Sequence, residues 1–189
     1  MCTGKCSRCV AVTLYPLVLL SIICNIVLFF PGWNTKYVKD GHITEEVKYL
    51  GGLIGGGLMV LISALYIHLT QEDGCCGNRF GMFFSIILAA VGVAGALYNC
   101  IASVLGLVNG PFCLYNGNWT VPFKNSNGTY LFDLKSEVCE EPNNVVKFNI
   151  GLFATLLATS CLQALLCASQ MINGLIGCLC GTCVNKEGA

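Results

Sequence analysis

The chain has 189 residues, of which 55% are hydrophobic and only 11% are charged. A soluble domain carries roughly 25% charged residues, so this deficit indicates that lipid is the solvent for much of the chain. Ten Lys and Arg residues balance ten Asp and Glu residues, which excludes both a basic nucleic-acid-binding surface and an acidic tail. We therefore expect no nucleic acid among the partners.

Four apolar segments are long enough to cross a bilayer, since a helix rises about 1.5 Å per residue and about 20 residues span the hydrocarbon core. The first segment is too long for the apolar core of a signal peptide and ends in Phe-Phe-Pro, so we interpret it as a retained span. The predicted fold is an all-α membrane protein, a four-transmembrane-helix bundle that forms a single domain of residues 1–189. The predicted spans cover about 10–30, 49–70, 81–108 and 148–176.

The longest polar segment, residues 109–147, lies between the third and fourth spans and contains glycosylation sequons at Asn118 and Asn127. Such sequons are used in lumenal or extracellular segments. This loop is therefore predicted to be extracellular and both termini cytoplasmic, which the higher density of Lys and Arg near the termini also favours. We expect a multi-pass protein of the plasma membrane, with endosomal or lysosomal membranes left open.

The fourteen cysteines fall into three groups. Cys113 and Cys139 lie in the outer loop, where oxidation persists, and a bridge between them would stabilise the loop by about 3 kcal/mol. The cysteines inside the spans are interpreted as apolar packing residues. The cysteines beside the cytoplasmic face are candidates for S-palmitoylation; they are Cys2, Cys6, Cys9, Cys75, Cys76, Cys178, Cys180 and Cys183.

Two CxxC pairs, at 6–9 and 180–183, make a zinc or redox site an alternative to acylation, and unmodified structural thiols are a third reading. Zinc would require the two termini to meet. We predict no metal and no cofactor.

The second span begins with the glycine-rich run GGLIGGG. Glycine is costly in a soluble helix, but in lipid it provides a flat surface for close helix packing, with a flexible helix start as the alternative. Two GxxxG pairs are formed by Gly51 with Gly55 and by Gly52 with Gly56. Asn25 and Asn99 fall toward the outer half of the bilayer and are candidates for a hydrogen bond between the first and third spans.

The spans contain no Asp, Glu, Lys or Arg, although intramembrane charges are the usual mark of ion pathways and proton relays. No nucleophile–base pair, phosphate loop or HExxH motif is present either. The protein is therefore predicted not to be an enzyme. A claudin- or connexin-like junctional or pore-forming protein is the alternative function, and an intramembrane lipid-binding protein is a third.

The outer loop is predicted to hold a small two- or three-stranded sheet. Asn-Gly at 116–117 is a hairpin signal, and a second turn at 125–128 precedes a candidate strand at 129–132. The aromatic residues of the loop either form its core against the helix ends or present a patch to partners; they are Phe112, Trp119, Phe123, Tyr130 and Phe132.

Seven motifs in order carry a family resemblance: MCTGKCSRC, FFPGWNTKY, GGLIGGGLMVL, CCGNR, NGPFCL, CEEPNNVVKFN and INGLIGCLCGTC. Together they resemble the L-six antigen family of four-span, tetraspanin-like membrane proteins. Tetraspanins carry Cys-Cys-Gly in a large outer loop, whereas here it lies in the cytoplasmic turn. Claudins carry a disulfide in the first outer loop, which here contains no cysteine. The family sequon at the start of the fourth span is absent, because residues 148–151 read Phe-Asn-Ile-Gly.

This resemblance implies a non-enzymatic membrane scaffold or adaptor. Its expected partners are membrane lipid and other membrane proteins, namely integrins, growth-factor receptors or transporters, and self-association is left open. The expected outcome is modulation of adhesion, migration and growth signalling. The glycine-lined helix faces and the outer loop are the binding surfaces that we expect.

Overall fold

A computed structural model describes residues 3–31, 39–41, 43–72, 79–124, 128–133, 139–141 and 144–180. The elements in chain order are α1 (Thr3–Leu28), α2 (Glu45–Lys48), a π-helix (Gly51–Met59), α3 (Val60–Glu72), α4 (Arg79–Asn109), β1 (Cys113–Tyr115), β2 (Asn118–Thr120), α5 (Tyr130–Asp133) and α6 (Val145–Cys180). Within these ranges, four helical segments are long and apolar enough to cross a membrane: Ser7–Leu28, Glu45–Leu69, Phe83–Asn109 and Val145–Ile176. The predicted four-helix membrane fold is confirmed.

The inner face of α6 repeats every seven residues. Its buried positions are separated alternately by three and four residues; they are Val146, Asn149, Phe153, Leu156, Ser160, Gln163, Cys167, Gln170 and Gly174. This spacing is typical of helices that pack at a shallow, left-handed angle. Both α1 and α4 pack against α6, and the second span packs between α1 and α4.

The outside of the bundle is apolar. Large aliphatic side chains project outward from each of the four spans, and Leu165 is 66% exposed. In water such a continuous apolar surface would drive aggregation, whereas hydrocarbon solvates it and leaves the helices to satisfy their own backbone hydrogen bonds. This distribution is the one expected of a bundle surrounded by lipid.

The second span is not a plain α-helix, because it begins with the π-helix and continues as α3. Leu50, directly before it, has a left-handed backbone with φ 52°. The π-helix is wider than an α-helix, and its glycines carry no Cβ that would keep neighbouring helices away. The wider backbone therefore still fits between α1 and α4, both of which it contacts.

A small cap lies at the end of the bundle where α4 ends and α6 begins; we define the outer cap as residues 110–124, 128–133 and 139–141. Strands β1 and β2 pair antiparallel around Asn116 and Gly117, whose φ angles are 50° and 76°. Two positive φ angles in a two-residue turn match the twist of a hairpin. The predicted hairpin is confirmed.

A disulfide closes the outer cap. Cys113 and Cys139 are bonded, with their Cα atoms 5.6 Å apart. Next to the bridge, the Leu114 N–H donates to the Glu141 carbonyl at 3.0 Å, and Glu140 N–H donates back to the Leu114 carbonyl at 3.0 Å. Residues 140–141 thus add a single β-bridge to the hairpin. The predicted disulfide is confirmed.

The strand predicted at 129–132 is wrong, because Tyr130–Asp133 forms the short helix α5. Gly128 has φ 79°, and its carbonyl accepts a hydrogen bond from Leu131 N–H at 3.1 Å. The helical turn directs Tyr130 inward, where its ring stacks on Phe123 with centroids 4.4 Å apart. This inward anchor outweighs the β propensity of the aromatic residues.

Candidate functional site

Two of the four GxxxG glycines face the centre of the bundle. A Cβ atom on Gly52 would lie 2.8 Å from Asn25 Cβ and 2.9 Å from Leu156 Cδ2. A Cβ atom on Gly56 would lie 2.6 Å from Asn99 Nδ2. These separations are shorter than van der Waals contact, so only glycine allows the π-helix to approach α1, α4 and α6 this closely.

The other two glycines pack against α4. A Cβ atom on Gly51 would lie 2.8 Å from Ala102 Cβ, and one on Gly55 would overlap the carbonyl oxygen of Gly95. All four glycines are buried inside this chain. The expectation that glycine-lined faces dock partner proteins therefore does not fit, since these faces are already covered by the chain's own helices.

Asn25 and Asn99 are buried in the bundle, at 2% and 0% exposure. Asn25 Oδ1 and both amide atoms of Asn99 have no hydrogen-bond partner among the described residues. The hydrogen bond suggested between them is wrong. The π-helix is the reason, because it places Gly52 against Asn25 and Gly56 against Asn99.

Gln163 is the polar residue that joins three helical segments. Its Nε2 donates to the Gly56 carbonyl at 2.8 Å and to Ser21 Oγ at 3.4 Å. Ser21 Oγ in turn donates to Thr159 Oγ1 at 3.2 Å. The sequence reading assigned Gln163 no particular partner. The seven-residue spacing of Gln163 and Gln170, with Asn149 two repeats before Gln163, is the signal that could have placed all three on one buried face.

Two hydrogen bonds tie the C-terminal end of α4 to its surroundings, one to the outer cap and one to α2. Tyr130 OH donates to the Leu107 carbonyl at 2.5 Å, and Asn109 Nδ2 donates to Glu46 Oε1 at 2.5 Å. Burial, and then the nearby charge of Glu46, raise the pKa of Tyr130 to about 12. The phenol therefore stays protonated and keeps its hydrogen bond throughout the physiological pH range.

A cavity of about 20 Å³ lies where the cap meets the bundle. This volume holds about one water molecule and is far below the roughly 300–1,000 Å³ of a small-molecule site. Within the part of the chain that the structure describes, no three His, Cys, Asp or Glu residues cluster as metal ligands would.

The sequence model of the L6 membrane protein family matches residues 1–184. The chain belongs to the L6 membrane protein family. It is 40% identical over 197 residues to Transmembrane 4 L6 family member 1 of Homo sapiens, with 99% of this chain and 98% of that protein covered. It is 42% identical over 193 residues to member 5 of Homo sapiens, covering 99% and 98%. It is 46% identical over 195 residues to member 4 of Mus musculus, covering 97% and 94%. No solved structure matches the chain.

The predicted modification sites of this L6 family protein are described only in part. Asn118 is exposed on β2, whereas Asn127 lies outside the described residues. Cys9 is exposed near the start of α1. Cys6 lies one turn earlier on α1, and Cys178 and Cys180 are on the last turn of α6. The other acylation candidates lie outside the described residues; they are Cys2, Cys75, Cys76 and Cys183.

The L6 chain also presents a strip of small residues to lipid. We define the α6 strip as Gly151, Ala154, Thr155, Ala158 and Cys161. Four of its members are exposed and Thr155 is half-buried. The Thr155 hydroxyl donates to the Gly151 carbonyl of its own helix at 2.8 Å, so the strip is smooth and free of projecting polar groups. Sequence reading missed it, because Ala and Gly inside an apolar run do not reveal which face they occupy.

Proposed function

We propose that this L6 family member is a non-enzymatic membrane scaffold of the plasma membrane. It associates laterally with receptors, integrins or transporters and so modulates adhesion, migration and growth signalling. The observation that carries the proposal is the α6 strip. In the described interior the buried polar groups are amides and hydroxyls without a charged side chain, which supports a structural role rather than catalysis.

The α6 strip differs from the rest of the lipid-facing surface of the same helix. Toward the C-terminus that surface carries large side chains, including Leu162, Leu165 and Ile172, which are at least half exposed. In lipid, association of helices depends on close van der Waals packing, which small residues permit and large ones prevent. A helix of a partner protein could therefore pack closely against the first half of α6.

The proposed threading places the outer cap outside the cell and both termini in the cytoplasm. The exposed position of Asn118 supports glycan attachment there, and the exposed Cys9 supports acylation beside the membrane. Acyl chains at the inner face and a glycan at the outer face would orient the bundle in the membrane. Both features suit a protein that binds its partners laterally within the membrane.

The test is proximity labelling in cells, combined with pull-down in a mild detergent. Ala158→Ile and Ala154→Ile place branched side chains on the α6 strip and should reduce the recovery of membrane-protein partners several-fold. Ala94→Ile is the matched control, since Ala94 is also an exposed alanine on a membrane-spanning helix. Equal losses in all three variants, or no loss in any, would remove the α6 strip as the docking surface.

A further inference from the structure

Three buried amides on the inner face of α6 share an unusual property. Asn149, Gln163 and Gln170 are 3%, 0% and 5% exposed, and the side-chain oxygen of each has no hydrogen-bond partner among the described residues. A buried carbonyl without a donor loses the hydrogen bonds that water would give it. Such a group indicates that a ligand able to donate a hydrogen bond belongs beside it.

At Asn149 there is also space for that ligand. The cavity of about 20 Å³ is lined by Asn149 together with Thr44 and Phe112, and its remaining walls are apolar; they are Leu28, Pro31, Ile43, Val145 and Phe148. A single water needs about 10–15 Å³ and two or more polar partners. The cavity meets the first condition and excludes a larger ligand.

Thr44 supplies the second polar partner. Its Oγ1 accepts a hydrogen bond from Phe112 N–H at 3.4 Å, which leaves the hydroxyl hydrogen to donate. A ligand here would accept a hydrogen bond from the Thr44 hydroxyl and donate one to Asn149 Oδ1. Water does both, whereas a metal cation would need several oxygen ligands and finds mostly apolar walls.

We propose that this cavity binds one structural water, which bridges Thr44 and Asn149. The bridge links three parts of the molecule: the segment before α2, the start of the outer cap at Phe112, and α6. It would hold the cap against both the segment before α2 and α6. The proposal does not depend on the scaffold function, because it concerns only how the outer end of this chain is held.

The experiment uses the full-length chain in nanodiscs of deuterated lipid, with labelled Asn side-chain amides and Thr and Ala methyl groups. Magnetisation transfer from water is measured by NMR at Thr44 and Asn149 of the wild-type protein. Thr120, which is exposed, is the wet control, and Ala96, which is 0% exposed in the apolar core, is the dry control. Transfer at Thr44 and Asn149 well above that at Ala96 is the expected result.

Transfer no greater than at Ala96, with normal transfer at Thr120, would overturn the proposal. So would a shift of the Asn149 amide on replacing choline by Na⁺ at constant ionic strength, since that would identify a cation. Thr44→Val keeps the shape of the side chain but removes the donor, and should abolish transfer at Asn149. Because the decisive measurement is on the wild-type protein, a variant that fails to fold does not spoil the test.

Discussion

The ring of Phe153 on α6 fills the space left by the missing side chain of Gly106 on α4. A Cβ atom on Gly106 would lie 2.7 Å from Phe153 Cε2, and Phe153 is only 2% exposed, so its ring has no room to move away. Gly151, at the outer end of α6, has nothing within 4 Å of the corresponding position. These two glycines therefore have opposite tolerance for a methyl group.

Gly106→Ala should destabilise the protein by about 1–3 kcal/mol, the usual cost of overpacking a core. Gly151→Ala meets no neighbour and gains helix propensity, so it should be neutral or stabilising by up to about 1 kcal/mol. Thermal unfolding in detergent, followed by circular dichroism, measures both. Similar melting temperatures for the two variants would show that the Phe153 contact is not tight.

The membrane-spanning architecture was predictable because apolar length alone decides it, and the Asn116–Gly117 hairpin because those residues suit two positive φ angles. The π-helix was not predictable, since Gly51 to Met59 are equally compatible with an α-helix until α1 and α4 pack against them. The same is true of Asn25 and Asn99: their polarity marks them as interior residues, but only the position of the π-helix between them prevents their contact. Tyr130 shows a third limit, because a distant carbonyl on α4 decides its local structure.

Tyr130 should lose its proton at a higher pH than an unperturbed tyrosine. Its folded pKa is raised to about 12, against about 10 for an unperturbed tyrosine. The stability contributed by the neutral phenol is therefore fully present below pH 10 and is lost as the pH rises from about 10 to 12. The difference in phenolate absorbance between the wild-type protein and Tyr130→Phe isolates this transition. Glu46→Gln should lower its midpoint while Glu45→Gln should not, and an unmoved midpoint would exclude Glu46 as a cause.

Asn118 should carry an N-linked glycan in cells, because the residue and its sequon partner Thr120 are both exposed on β2. Asn118→Gln and Thr120→Ala should each remove the same glycan and increase electrophoretic mobility equally. Treatment of all three proteins with an N-glycanase should reduce the difference in electrophoretic mobility between each variant and the wild-type protein. Unchanged mobility of both variants would mean that this sequon is not used.

Cys9 should be acylated, because its thiol is exposed near the N-terminal end of α1. Cys9→Ser should reduce incorporation of a palmitate analogue that hydroxylamine releases. Cys24→Ser is the control, since Cys24 is buried at 5% exposure inside the bundle and cannot reach an acyltransferase. If both variants retain full labelling, acylation resides at other cysteines.

Breaking the disulfide should reveal which side of the membrane the outer cap occupies. In Cys113→Ser the Cys139 thiol becomes free, and removing the cross-link costs the cap about 3 kcal/mol, so the thiol should become accessible. A membrane-impermeant maleimide applied to intact cells should then label Cys113→Ser and Cys139→Ser but neither the wild-type protein nor the double variant. Any surface-expressed protein suffices for the comparison, even if the single variants reach the surface poorly. Labelling only after the cells are permeabilised would place the cap, and with it both sequons, on the cytoplasmic side and reverse the proposed threading.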